Sequence, residues 1–180
     1  MAEQLAQLLN TKIATLVQHH NELKQVEAAR ETNCQCSTLP PPGAGDVDRV
    51  GSRVCIERVR PLDDRDNYIN IGGVTAFYRG AAYTPVGVDM PKSYASNHTG
   101  SGAIDGDPNT MAHTNNDPDV SITVNLGREV PVDLIVIDNR VDCCQFRLMR
   151  CRVALRTAAN ETVWETMIES TQQQYRLKVR

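Results

Sequence analysis

The 180-residue chain has no surplus of positive charge: 19 Lys and Arg stand against 22 Asp and Glu, a formal net charge of −3. That balance leaves no electrostatic footprint for nucleic acid, which is not an expected partner. No apolar run approaches the roughly 20 residues of a membrane helix, so no membrane insertion is expected. The opening MAEQLAQLLN has no basic stretch followed by an apolar one, so no export leader is read there. Either the protein is not exported by the usual route, or its leader lies outside this sequence. Aromatic rings are few: one Trp, five Tyr and two Phe. The chemistry of catalysis is missing too. There are no paired carboxylates of convincing spacing, no nucleophile with its base and no phosphate-cradling glycine loop, so an enzyme is not expected. Six cysteines do not space as a zinc site, because Cys34-x-Cys36 is too tight and no second pair complements it. The fates of Cys34, Cys36, Cys55 and Cys151 stay open.

Three textures follow one another along the chain. Residues 3–30 contain no Gly or Pro and are rich in Ala, Leu, Gln, Glu and Lys, all good helix formers. Leu9, Leu16 and Leu23 repeat every seven residues, with Ile13 and His20 at the intervening core position. Residues 1–30 are therefore expected to form an amphipathic helix. It would associate with copies of itself as a coiled coil, or pack on its own domain or on a partner. Residues 31–49, with Pro40, Pro41, Pro42, Gly43 and Gly45, read as a linker. From 50 to 180 the pattern is β. Val120, Ile122, Val124 and Leu126 alternate with polar neighbours, as do Tyr175, Leu177 and Val179. Residues 132–137 alternate less cleanly and suggest a strand buried on both faces. Many short strands without a second helical pattern predict an antiparallel β-sandwich. The longest irregular stretch, about 89–119, is a candidate functional loop.

Residues 139–147 read NRVDCCQFR. Adjacent Cα atoms sit about 3.8 Å apart, closer than the usual disulfide span of about 4.4–6.8 Å. Cys143 and Cys144 are thus either two thiols with separate fates or a ring closed between neighbours. The pair lies inside a longer pattern: His113, 26 residues, Arg140-x-Asp142, four residues, Arg147. Each of these residues alone would more often be structural. Arg140 and Arg147 could be surface arginines paired with Asp138 and Asp142, and His113 a satisfied loop histidine. His19, His20 and His98 fit no such pattern.

The spacing H-x26-R-x-D-x4-R, with adjacent cysteines in its last gap, resembles the signature of the F-type lectins. These are fucose-binding lectins with a discoidin-like, jelly-roll β-sandwich. The runs AIDGD and NLG resemble family segments as well, and the likeness covers roughly residues 68–180. It implies that His113, Arg140 and Arg147 hydrogen-bond the sugar and that Asp142 orients the arginines. It also implies that Cys143 and Cys144 form a vicinal disulfide lying against one sugar face. The implied partners are fucosylated glycans. A structural calcium is also implied, with Asp105, Asp107 and Thr110 as ligands. The sequence departs from the family in several places. The family's Glu ligand falls at Gly73 and its nearby Cys at Gly72, the partner of that Cys falls at Met111, and a frequent Trp gives way to Ser121 and Ile122. The run YINIGGVTAFYRG, which resembles the family's last strand, here comes first, as in a circular permutation. The style is similar to such domains in large double-stranded DNA viruses, which implies a virion protein, with capsid proteins as further partners. Secretion is the alternative location. A second reading keeps the sandwich as a capsid-associated protein–protein module with a vestigial sugar site.

Overall fold

The computed structural model describes residues 48–60, 62, 66–107 and 109–180. The expected coiled-coil helix, residues 31–47 of the expected linker, and Cys34 and Cys36 lie outside the described residues, while Arg49, expected to end the linker, instead opens the first strand.

Among the described residues, ten strands build two antiparallel sheets. In chain order they are β1 (Arg49–Arg58), β2 (Asn70–Tyr78), β3 (Ala81–Ala82), β4 (Gly87–Asp89), β5 (Ala112–His113), β6 (Ser121–Val132), β7 (Leu134–Asn139), β8 (Cys151–Arg156), β9 (Thr162–Met167) and β10 (Gln174–Lys178). The first sheet runs β4-β6-β1-β8-β9. The second runs β10-β7-β2-β3, and β5 also pairs with β2. The period-2 pattern is visible in what is buried. Val54 and Ile56 of β1, Ile122 and Val124 of β6, and Val153 and Leu155 of β8 all enter the core. Val74 and Ala76 of β2, Ile135 and Ile137 of β7, and Tyr175 of β10 meet them from the other sheet. These side chains form one apolar cluster between the sheets. Burial at about 25 cal/mol per Å² of apolar surface is the main force holding the layers together.

β7 is buried on both faces, with Ile135, Val136 and Ile137 all at most 5% exposed. This is why its sequence does not alternate. β2 carries the irregularity that matters most for the surface. Ile71 pairs with Asn139 and Gly73 with Asp138, so two residues of β2 oppose one step of β7. This bulge at Gly72 shifts the alternation, and the inward residues after Ile71 are Val74 and Ala76. Two consecutive residues without side chains thus sit in the middle of the second sheet.

The stretch 89–119 is not structureless. It contains a 3-10 helix at Gly100–Ala103, strand β5 and an isolated bridge between Ser93 and Thr114. A Cβ on Gly102 would stand 2.5 Å from the Met111 carbonyl carbon, so only glycine lets the helix lie against the chain leading into β5.

Candidate functional site

The site begins where β7 ends. Asn139 is buried, and its amide holds the following loop at both sides. Nδ2 donates to the carbonyls of Gln145 (3.0 Å) and Gln172 (2.8 Å), and Oδ1 accepts from the Arg140 N–H (2.9 Å). The loop then carries Arg140, Asp142 and the cysteines into a second 3-10 helix, Gln145–Leu148, which presents Arg147. Cys143 and Cys144 are joined as a disulfide across a Cα–Cα distance of 3.8 Å. Cys144 adopts the left-handed conformation (φ 64°), and its carbonyl accepts from the Arg147 N–H at 3.1 Å. The ring therefore also forms the entry to the helix that aims Arg147. Cys55 and Cys151 are free and buried, and burial pushes the Cys151 thiol up to about 12.

The two arginines are held differently. Arg140 makes a two-pronged pair with Asp142, Nε to Oδ1 at 2.5 Å and Nη2 to Oδ2 at 2.8 Å. Asp142 Oδ1 also accepts the Cys143 N–H at 2.9 Å. The Arg140 guanidinium holds the Asp142 carboxyl well below the usual carboxylate range. Arg147 does not share this partner. Its Nε lies 2.9 Å from Asp66 Oδ1, and its guanidinium carbon sits 4.6 Å from the centre of the Tyr68 ring. Its Nη1 is 3.4 Å from His113 Nε2.

His113 comes from β5, which pairs with Asn70 and Ile71 at the start of β2. It is 4% exposed. Its ring stacks on Tyr94 (4.7 Å, 17°), meets Tyr68 edge-on at 5.3 Å, and lies 5.5 Å from the His98 ring. Burial, and then the charges of Arg147 and Arg140, depress its pKa from 6.5 to about 4. His113 is therefore neutral at physiological pH. Behind it, Arg58 at the end of β1 reaches beneath the site. Its Nη1 donates to the Met149 carbonyl (2.6 Å), and its Nη2 donates to the carbonyls of Tyr68 (2.8 Å) and Arg147.

His113, Arg140, Asp142, Cys143, Cys144 and Arg147 are thus brought together. Asp142 pairs with Arg140, while Arg147 takes Asp66 instead. Asp138, weighed as an arginine partner, accepts from Gln174 Nε2 at 2.7 Å. The sequence pattern missed Asp66, Tyr68, Tyr94 and Arg58, and it set His98 aside. His98 belongs beside the site, because its carbonyl accepts the His113 N–H at 3.2 Å. No spacing rule joins these residues to the motif. The one usable signal was composition, since two of only five tyrosines flank the two segments that meet at β5.

Asp105, Asp107 and Thr110, the expected calcium ligands, do cluster, but they bond to one another. The Thr110 hydroxyl donates to Asp105 at 2.7 Å, and the Asp107 N–H donates to Asp105 at 3.0 Å. Two carboxylates and a hydroxyl fall short of the six to eight oxygens calcium takes, and Gly73 adds no side chain. Among the described residues, no group of three or more His, Cys, Asp or Glu is placed to hold a metal. The side chains present would supply only part of a calcium shell, leaving the rest to backbone carbonyls and water.

Residues 102–179 match the family model of the NedA-like, galactose-binding domain. The two antiparallel sheets of the described residues are consistent with a galactose-binding-like sandwich. The match runs from the Gly100–Ala103 helix to the last strand and includes every residue of the motif. No curated protein and no solved structure matches the chain. Among the described residues, no helix is long and apolar enough to cross a membrane.

Proposed function

We propose that the sandwich binds a neutral sugar of the fucose type through His113, Arg140 and Arg147. The Cys143–Cys144 ring would provide an apolar face, and Asp142 would orient Arg140. The observation that carries this reading is the charge balance of the cluster. Each guanidinium already faces a carboxylate, Arg140 with Asp142 and Arg147 with Asp66, and His113 is uncharged. An anion site would leave its arginines uncompensated for the ligand. Here the remaining guanidinium N–H groups and a neutral imidazole suit hydroxyl groups, which both donate and accept. Sulfur is polarizable and packs well on the C–H face of a sugar ring.

Single sugar sites are weak, and millimolar to micromolar affinity corresponds to about −4 to −8 kcal/mol. Self-association through residues 3–30 would multiply such sites and raise avidity without new contacts. We place such an assembly on a virion surface, meeting fucosylated host glycans. A second reading, a capsid-associated protein–protein module, is favoured by the exposure of Val141 (60%) and Phe146 (45%) around the cysteine pair. Calorimetric titration with L-fucose separates the two. Saturating heat that disappears in Arg140→Ala supports a lectin. No heat at millimolar sugar leaves the assembly module.

A further inference from the structure

The bulge at Gly72 opens a cleft on the outer face of the second sheet. Its volume is about 510 Å³, and Gly72, Gly73, Tyr83, Asp107, Asp138 and Gln174 are among the residues that line it. That volume lies within the roughly 300–1,000 Å³ of small-ligand sites. A second hollow of about 210 Å³ adjoins it and is lined by Arg140 and Asp142 among others. Gly72 and Val141 border both. A continuous surface therefore leads from the Arg140–Asp142 pair over the bulge into the larger cleft.

We infer that this cleft is the subsite for the sugar residue adjoining the one held at the arginines, and that this second residue is neutral. The inference rests on the sugar-binding reading of the arginine site and extends it to an oligosaccharide. Asp107 and Asp138 line the cleft, and among the described residues no Lys, Arg or His does, so a carboxylate or sulfate there would be repelled. Tyr83, Ile104 and Val141 provide apolar walls, while the carboxylates and Gln174 offer hydrogen bonds to hydroxyls. These polar groups are held in place. Gln174 Nε2 donates to Asp138 Oδ1 at 2.7 Å, and Asp107 Oδ1 accepts from the Asn109 N–H and side-chain amide, both at 2.9 Å. Gln173 Nε2 donates to the carbonyls of Asn139 (3.0 Å) and Arg140 (3.4 Å), which fixes the cleft wall to the arginine loop. Gly73 leaves part of the cleft floor without a side chain, whereas a Cβ at Gly72 would meet the backbone carbonyl of Asn139 at 3.3 Å. A Cβ at Gly73 would point toward the Asp138 carboxylate, 3.2 Å from Oδ2.

The test is calorimetry on the full chain with L-fucose, with neutral fucosylated trisaccharides, and with the same trisaccharides bearing a sulfate on the adjoining sugar. The wild-type protein is expected to bind its best neutral trisaccharide about tenfold more tightly than L-fucose, a difference of about 1.4 kcal/mol. Sulfation should remove the gain. Gly73→Val, a β-branched residue on a strand, should bring the trisaccharide to the L-fucose level while L-fucose binding stays within about twofold. Gln174→Ala, exposed on β10, should remove part of the gain even if the valine variant folds poorly. A trisaccharide gain that survives both variants, or equal wild-type affinities, overturns the cleft assignment while the arginine site stands. If no saccharide binds, the arginine-site reading fails and the subsite with it.

Discussion

The two arginines of the site, six residues of intervening loop apart, stand in very different frames. Arg147 is framed by distant residues: Asp66, the Tyr68 ring and His113, with Arg58 holding its own carbonyl from beneath. Arg140 is framed by its own loop, through an Asp142 side chain that is 56% exposed. One half of the site is therefore part of the fold, and the other half is built on top of it. A ligand that needs both reads a rigid group and an adjustable one together.

The sharpest way to break this contrast is by alanine. Arg147→Ala should abolish L-fucose binding, at least about 100-fold, and should also cost about 3 kcal/mol of stability, because it dismantles a mostly buried ion pair and a cation–ring contact. Arg140→Ala should abolish binding to the same degree yet change stability by only about 1 kcal/mol, because its partner Asp142 is largely in solvent. Urea unfolding beside calorimetry reads both. Equal stability losses would erase the distinction.

The buried half also has a pH signature. In the unfolded chain His113 takes its proton near 6.5, but in the fold only near pH 4. The unfolded state binds more protons between these values, so this residue lowers stability progressively as pH falls from about 6.5 to about 4, by about 3 kcal/mol in total. Above 6.5 the effect is absent. The stability difference between wild type and His113→Gln should accordingly move in favour of the variant by that amount over this window. A constant difference would mean that His113 is not held neutral.

Smaller effects test the exposed half. Asp142→Asn keeps the shape of the pair but not its charge, and should weaken L-fucose binding about tenfold with the fold intact. An unchanged dissociation constant would remove Asp142 from its orienting role. Smallest of all is calcium. Because Asp105 and Thr110 satisfy each other, adding calcium or a chelator should leave the thermal midpoint in place within about 1 °C. A rise of several degrees with calcium would show that the loop opens to take the ion.

The motif residues were legible in the sequence because they are local or regularly spaced. Arg140 to Arg147 occupy one loop and one short helix. The strands were legible where one face is buried, as in β6, and even β7 declared itself by its unbroken apolar run. What the sequence hid were partners brought together by pairing. Asp66 and Tyr68 meet Arg147 across some 80 positions, and His98 reaches His113 only because β5 docks on β2. The bulge at Gly72 was visible only as two glycines. Their meaning comes from the register of β7, which a single strand does not encode.

Arg58 carries a last consequence. It belongs to β1 of the first sheet, yet it grips the carbonyl of Tyr68, two residues ahead of β2 in the second, and those of Arg147 and Met149 on the connection leading back to β8. Recognition is thereby tethered to the alignment of the two layers. If heat or pressure slid one layer against the other, the binding surface and the core between the layers would be disturbed together. A titrated ligand would then report on the packing of the two sheets as well as on the site itself.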